Sequence, residues 1–288
     1  MIHKGQDKNT SGIIYHYTNT DALYGMLKDG KKIQMWASDF RFLNDKEELI
    51  NGLECLIDMM LKSNISEKNK KYLSDLKKSK EYAKVITTFN NYSIISFSLS
   101  RDNLSQWRAY ANGLNGVALG FDRESIINQY QDCLQDVIYK NKDKKEFFNT
   151  LLKNGEIPVK ILYKCMKMKN DKFLSEKEIR FIKETKRYDN FRLGKTSLIP
   201  YEIISFKQSS LKEVWIAPNC IDKELQKMSL KMFLESCGYE TISGKTKNNN
   251  LGNKKPQVKI SDDTKNNNLG NKKPQVKIKV SKIPLRES

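Results

Sequence analysis

The stretch GIIYHYTNTDALYGMLKDG, residues 12–30, carries two periodicities in succession. Residues 13–18 are β-branched and aromatic, as extended chain prefers, and TDALYGMLKDG has the apolar spacing of a capped helix that stops at Gly30. A strand feeding a helix at the very start of the folded chain sets the expectation of mixed α and β structure. Side chains alternate along a strand, so Ile14, His16 and Thr18 share one face, and Ile13, Tyr15 and Tyr17 the other. His16 is one of only two histidines in 288 residues, which makes its place in an apolar strand the first thing to explain.

Working outward, KIQMWAS reads as a second strand, and residues 45–62 and 66–84 as helices, the latter heavily charged. YSIISFSLS is a strand, and DNLSQWRAYANG a helix with Asp102 or Ser105 near its start and Gly113 beyond its end. NGVALGFD is a buried strand and RESIINQYQDCL a short helix. Helices are expected at 142–153 and 160–174, strands at EIRFIKE, IPYEIISF and LKEVWIA, and a helix at 221–236. Interleaved signals of this kind predict one α+β domain with a mixed, split β-sheet flanked by helices. The segment TKNNNLGNKKPQVKI at 246–260 returns unchanged at 264–278. Its Asn, Gly, Lys and Pro content marks exposed, mobile chain. The expected organisation is a main domain over 1–244, a duplicated basic insertion over 245–275, and a closing strand over 276–288 with Val276, Ile278 and Val280 on one face.

Composition narrows the function classes. Fifty-two Lys and Arg against 34 Asp and Glu give a formal charge of +18, enough to draw in phosphates or anionic surfaces. Half of it lies in residues 245–288, so the basic surface and tail leave nucleic acid open as a partner. No apolar run is long enough for a membrane span, and the first twelve residues lack the apolar stretch of a secretory signal, so a soluble, cytoplasmic protein is expected. Five cysteines without a Cys-x-x-Cys pair predict reduced thiols. Two histidines and scattered thiols assemble none of the usual zinc sets, and no metal is expected. Neither phosphate-cradling glycine motif is present.

Three strands each offer a polar half: His16 with Thr18, Ser96 with Ser98 and Ser100, and Glu176 with Glu178 and Arg180. Converging over one sheet, they would form a cleft that holds a sugar ring and stabilises positive charge developing on it, with a carboxylate beside the anomeric carbon. Trp107, Arg108 and Tyr110 would stack on a base and grip a phosphate, or pack in the core. Asp45, in WASDFRFLNDKEE, reads as a helix cap beside Trp36, Asn44 and Glu48. Each member also has a plain structural reading: a satisfied core histidine, a half-exposed serine strand, a solvated charge ladder.

Taken in order, these stretches resemble a bacterial family known as domain of unknown function 2971. The residues that carry the resemblance include Tyr17, Ser38, Asn44, Asp45, Ser96, Ser98, Trp107, Tyr110, Gly116, Glu176, Glu178, Arg180 and Arg286. Lys46 and Phe173 depart from the usual pattern, which has proline and tryptophan there. In outline the chain is also similar to the ADP-ribosyltransferases and the tRNA phosphotransferases that share their fold: a first-strand His, an interior Ser-x-Ser strand and a late catalytic Glu. That resemblance implies an ADP-ribosyltransferase-like fold and NAD as substrate. It implies Glu178 and His16 as the working pair, with His16 on the adenosine ribose, Glu178 on the nicotinamide ribose and Glu176 assisting the acceptor. Tyr15, Tyr17, Thr18, Ser38, Asn44, Ser96, Ser98, Trp107, Arg108, Tyr110 and Arg180 would complete the nucleotide site, in a conflict or stress system. The alternative is a non-catalytic nucleic-acid-binding or interaction module that works through the basic tail.

Overall fold

The structure is a computed structural model, and it describes residues 12–43, 46–87, 90–111, 114–153, 162–194, 196–242 and 273–283. Eleven strands form one mixed sheet. β1 (Ile13–Asn19), β2 (Ile33–Asp39), β3 (Asn91–Ser98), β4 (Gly116–Asp122), β5 (Leu134–Asp136) and β6 (Glu178–Thr185) come first. β7 (Asn190–Leu193), β8 (Leu198–Phe206), β9 (Leu211–Ile216), β10 (Glu240–Ile242) and β11 (Gln275–Val280) follow. The main path runs β10-β11-β9-β4-β1-β3-β2-β8-β7, with β6 and β5 branching from β3. Among the described strands, the β10–β11 and β11–β9 pairings are parallel and the others antiparallel.

The branch is what makes a site possible. β3 gives one edge to β6 along its whole length, from Asn91↔Thr185 to Ser98↔Glu178. On its other edge β2 takes Ser93 and Ile94, while β1 takes Ser98 alone. Between those pairings β1 and β2 splay, and the backbone of Ile95–Phe97 has no ladder partner in either strand. The sheet is therefore forked at the middle of β3.

Helices α1 (Thr20–Leu27), α2 (Lys46–Leu61), α3 (Glu67–Ser79), α4 (Tyr82–Ile86), α5 (Leu104–Tyr110), α6 (Arg123–Gln129), α7 (Asn141–Lys153) and α8 (Lys223–Ser236) flank it. On one face, Ile14, Leu119, Phe121, Phe206 and Val214 pack with Leu23 and Leu27 of α1 and with Leu230 and Leu234 of α8 in the principal core. On the other, α5 lays Trp107 against Tyr15, Tyr17, Ala118 and Trp215. That packing is tight: a Cβ at Gly116 would stand 2.5 Å from the Ala111 carbonyl oxygen.

Local chemistry sets the element ends. Asn19 caps α1 by accepting from the Ala22 N–H, and Gly30 takes a φ of +63° beyond its end. The helix expected over 66–84 breaks in two because Lys80 enters the left-handed region at φ 55°. The expected helix at 160–174 is instead a pair of 3-10 turns, Leu162–Lys167 and Asp171–Glu176. Met168 between them forms a β-bridge with Ile138, so the chain is pulled straight there. Neither Asp102 nor Ser105 caps α5. Asn103 does, through Oδ1 to the N–H groups of Ser105 and Gln106. Short strands β5, β7 and β10 had no counterpart in the sequence reading. Among the described residues, no helix is long and apolar enough to cross a membrane, and all five cysteines are free. Asp45 lies outside the described residues, as does the repeat before Lys273.

Candidate functional site

Register decides what meets at the fork. Tyr15 stands opposite Ser98, which stands opposite Glu178, and Ser96 stands opposite Arg180. Directly opposed side chains project to the same side, so Tyr15 and Tyr17 share the face of the serines and Glu178. His16 belongs to the other face, where its ring meets the edge of Phe97 with centroids 5.9 Å apart. The expectation that His16 and the serines lie on one wet face is thus corrected. The fork brings them together instead: where β1 leaves β3, His16 Nδ1 lies 2.9 Å from the Ser96 carbonyl oxygen.

A carbonyl oxygen only accepts, so Nδ1 carries the proton. Burial pushes the imidazole pKa down against the smaller opposing effect of that hydrogen bond. The ring is held neutral, and Nε2 is left as an acceptor. His16 therefore does for the open backbone edge of β3 what a neighbouring strand would otherwise do.

The polar face is not wet. Exposures of 7% at Glu178, 4% at Arg180, 3% at Lys169 and 1% at Ser98 make it a buried ion network. Arg180 donates from Nε to Glu178 Oε1 at 2.8 Å and from Nη2 to Oε2 at 3.0 Å. Lys169 Nζ lies 2.7 Å from Glu176 Oε2 and 3.1 Å from Glu178 Oε2. Arg180 Nη1 also donates to the Met166 carbonyl at 2.6 Å. Burial alone would raise the Glu178 carboxyl, but the Arg180 guanidinium, then Lys169 and the Ser96 hydroxyl, outweigh it and draw the pKa down to about 2. Glu178 is an anion at any physiological pH.

Backbone geometry delivers these groups. Lys177 adopts a left-handed φ of 46°, which turns the chain so that Glu176 and Glu178 both reach Lys169. Ser98 donates to the Glu176 carbonyl at 2.6 Å, and the Tyr139 hydroxyl accepts from the Glu178 N–H at 2.7 Å. Lys169 is delivered by the bridge at Met168, its own N–H donating to the Ile138 carbonyl at 3.1 Å. Its ammonium sits 4.9 Å from the Phe173 ring centroid, so phenylalanine supplies an aromatic face there.

A cavity of about 60 Å³ opens at the fork, lined by Tyr15, His16, Tyr17, Ser96, Phe97, Gln106, Tyr110, Glu176 and Glu178. Of the residues expected from sequence, His16, Tyr15, Tyr17, Ser96, Tyr110, Glu176 and Glu178 are on its wall. Ser98 and Arg180 stand behind it as supports. Trp107 is corrected: it is 3% exposed and its Nε1 donates to Asp102 at 2.8 Å, so it has no face free for a base. Arg108 is exposed on α5 away from the wall. Thr18 is not on the wall either, and Ser38 is buried at the far end of β2, accepting from Arg192 at 3.2 Å. Asn44 lies outside the described residues.

Sequence reasoning passed over Gln106, Phe97 and Lys169. Gln106 sits directly before Trp107, and a glutamine in a helix carries no pattern of its own. Lys169 lies in a lysine-rich run whose ordinary meaning is a solvated surface. Among the described residues, no group of three or more His, Cys, Asp or Glu is arranged to hold a metal ion.

A family model described as a protein of unknown function (DUF2971) matches residues 106–181, about a quarter of the chain, and supports the family resemblance. The matched stretch runs from Gln106 to Phe181 and includes Trp107, Tyr110, Glu176, Glu178 and Arg180. No curated protein and no solved structure matches the chain.

Proposed function

We propose that the chain takes NAD at the fork of the sheet and cleaves its nicotinamide glycosidic bond, as an ADP-ribosyltransferase or an NAD glycohydrolase. The observation that supports this reading is that His16 and Glu178, distant in sequence, line one cavity where β1 parts from β3. The sheet is mixed and flanked by helices, and that it is the fold the distant resemblance implies is part of this proposal.

In this reading the C–N bond between ribose and nicotinamide breaks and nicotinamide leaves with the bonding electron pair, which neutralises its cationic ring. The ribose carbon becomes oxocarbenium-like. Glu178, ionised and fixed by Arg180, lies beside that developing positive charge and holds the ribose hydroxyls. An acceptor hydroxyl, or water in the glycohydrolase case, adds to the carbon and passes its proton to the Glu176 carboxylate, which orients the incoming oxygen. His16, being neutral with Nδ1–H engaged, accepts from a ribose hydroxyl through Nε2 rather than donating. Gln106 and Tyr110 complete the wall on the α5 side.

The closed cavity has room for a few waters, whereas a nucleotide needs roughly 300–1,000 Å³. Binding therefore requires the cavity to widen, with the half-exposed Tyr110 side chain turning off the fork while Trp107 keeps α5 seated. The test is release of nicotinamide from NAD, with and without DNA, RNA or protein acceptors. Wild-type protein should release it, and Glu178→Gln should not. Failure of the wild type under every condition removes the reading, and equal activity in the variant removes Glu178 from its role.

A second reading is favoured by one different feature. A groove of about 860 Å³ is lined by Lys212, Lys273 and Lys277 beside Glu213 and Glu240, where the basic tail re-enters the sheet. Non-catalytic nucleic-acid binding there would fall steeply with salt and with deletion of residues 245–272. Nicotinamide release would survive that deletion.

A further inference from the structure

The outer face of α8 carries an apolar stripe that serves no purpose within the described fold. Leu225, Met228 and Met232 are 56%, 55% and 65% exposed, and Ile221, just before the helix, is 81% exposed. Their spacing of four, three and four residues is the repeat of a helix-pairing seam. They lie on the side of α8 opposite Leu230 and Leu234, which face the core. Tyr24 and Leu114, each 59% exposed, widen the patch beside Ile221 and Leu225. Core packing explains the inner face of this helix and leaves the outer one unexplained.

We propose that α8 is a self-association surface on which a second copy of this chain docks antiparallel about a twofold axis. The charges on the flank of the stripe select that occupant. Glu224, in the first turn, and Lys231, two turns further along, lie on the same flank of the helix, seven residues apart. Antiparallel pairing that sets Leu225 against the partner's Met228 brings Glu224 of one copy toward Lys231 of the other, twice by symmetry. In a parallel pair Glu224 would instead meet the position of Ser229, and the match would be lost. Among the described residues the same charges have loose partners within one copy, Lys227 to Glu224 and Lys231 to Glu235, both at 3.9 Å, so they can turn toward a second helix.

Sedimentation velocity of the full chain over a wide concentration range tests this. The wild type should show a concentration-dependent dimer. Glu224→Lys and Lys231→Glu should each be monomeric, because each sets like charges face to face. An equimolar mixture of the two variants should recover the dimer, since the mixed pair restores opposite charges at both contacts. Recovery also shows that each variant is folded. A wild type that stays monomeric throughout, a dimer indifferent to either charge change, or a mixture that fails to recover would overturn the proposal.

Discussion

Replacing Glu178 by Gln removes one negative charge from a buried set of two carboxylates and two cations, and leaves Arg180 and Lys169 short of a partner. The carboxyl falls from an ordinary 4.5 to about 2 on folding, which corresponds to roughly 3 kcal/mol of stability. That agrees with the roughly 3–5 kcal/mol lost when one partner of a buried pair is deleted. Because the folded pKa is depressed, the contribution is complete above about pH 4.5 and is lost as pH falls toward 2. Glu178→Gln should therefore unfold at lower urea concentration than the wild type at pH 7, by roughly 3 kcal/mol. The gap should shrink by roughly 1 kcal/mol at pH 4 and roughly 2 kcal/mol at pH 3. A gap that stays constant from pH 7 to pH 3 would show that Glu178 is not held ionised by its neighbours, and the electrostatic argument for the site would fail.

Other consequences are open to similar measurement. His16 has its pKa lowered by burial, so the stability it contributes is present above pH 6.5 and lost as pH falls through the folded value. Thermal unfolding of His16→Gln should be less sensitive to acidification from pH 7 to 5.5 than that of the wild type, and parallel slopes would contradict this. Gly116→Ala drives a methyl group into the Ala111 carbonyl and should cost about 1–3 kcal/mol in a urea melt; an unchanged midpoint would mean that α5 is not seated as described. Trp107→Phe keeps the ring against Tyr17 but forfeits the bond to Asp102, which also anchors Ser281 and the Lys282 N–H. About 1 kcal/mol should be lost, and NAD cleavage should be retained if Trp107 is structural.

The strands and most helices could be read from periodicity because burial on two faces writes itself into alternation and 3.6-residue spacing. Ile13–Asn19 and Gly116–Asp122 are such cases. The fork was not readable in detail, since it depends on which residues of β3 pair with β1 and which with β2, and partner choice leaves no mark on either strand alone. For that reason alternation places His16 correctly, with Ile14 and opposite Tyr15 and Tyr17, but does not show that the serines of β3 belong to the face of the tyrosines. The ion network was half legible: Glu-x-Glu-x-Arg announces charges on one side of a strand. Nothing local says that Lys169 will arrive from a bridge at Met168 and bury them. The two 3-10 turns replaced an expected helix because a tertiary pairing overrode local preference. Aromatic residues on α5 misled in the other direction, as Trp107 was needed to fill the space above Tyr17.

The scarcity of imidazole supplies the most direct measurement. In protein carrying carbon-labelled histidine, only His3 and His16 contribute ring signals. Titration with NAD should move the His16 signal saturably while His3 stays in place, and the same titration of His16→Gln should leave the remaining signal still. A His16 resonance that does not move at NAD concentrations supporting nicotinamide release would place the ligand elsewhere and contradict the assignment of the fork as its site.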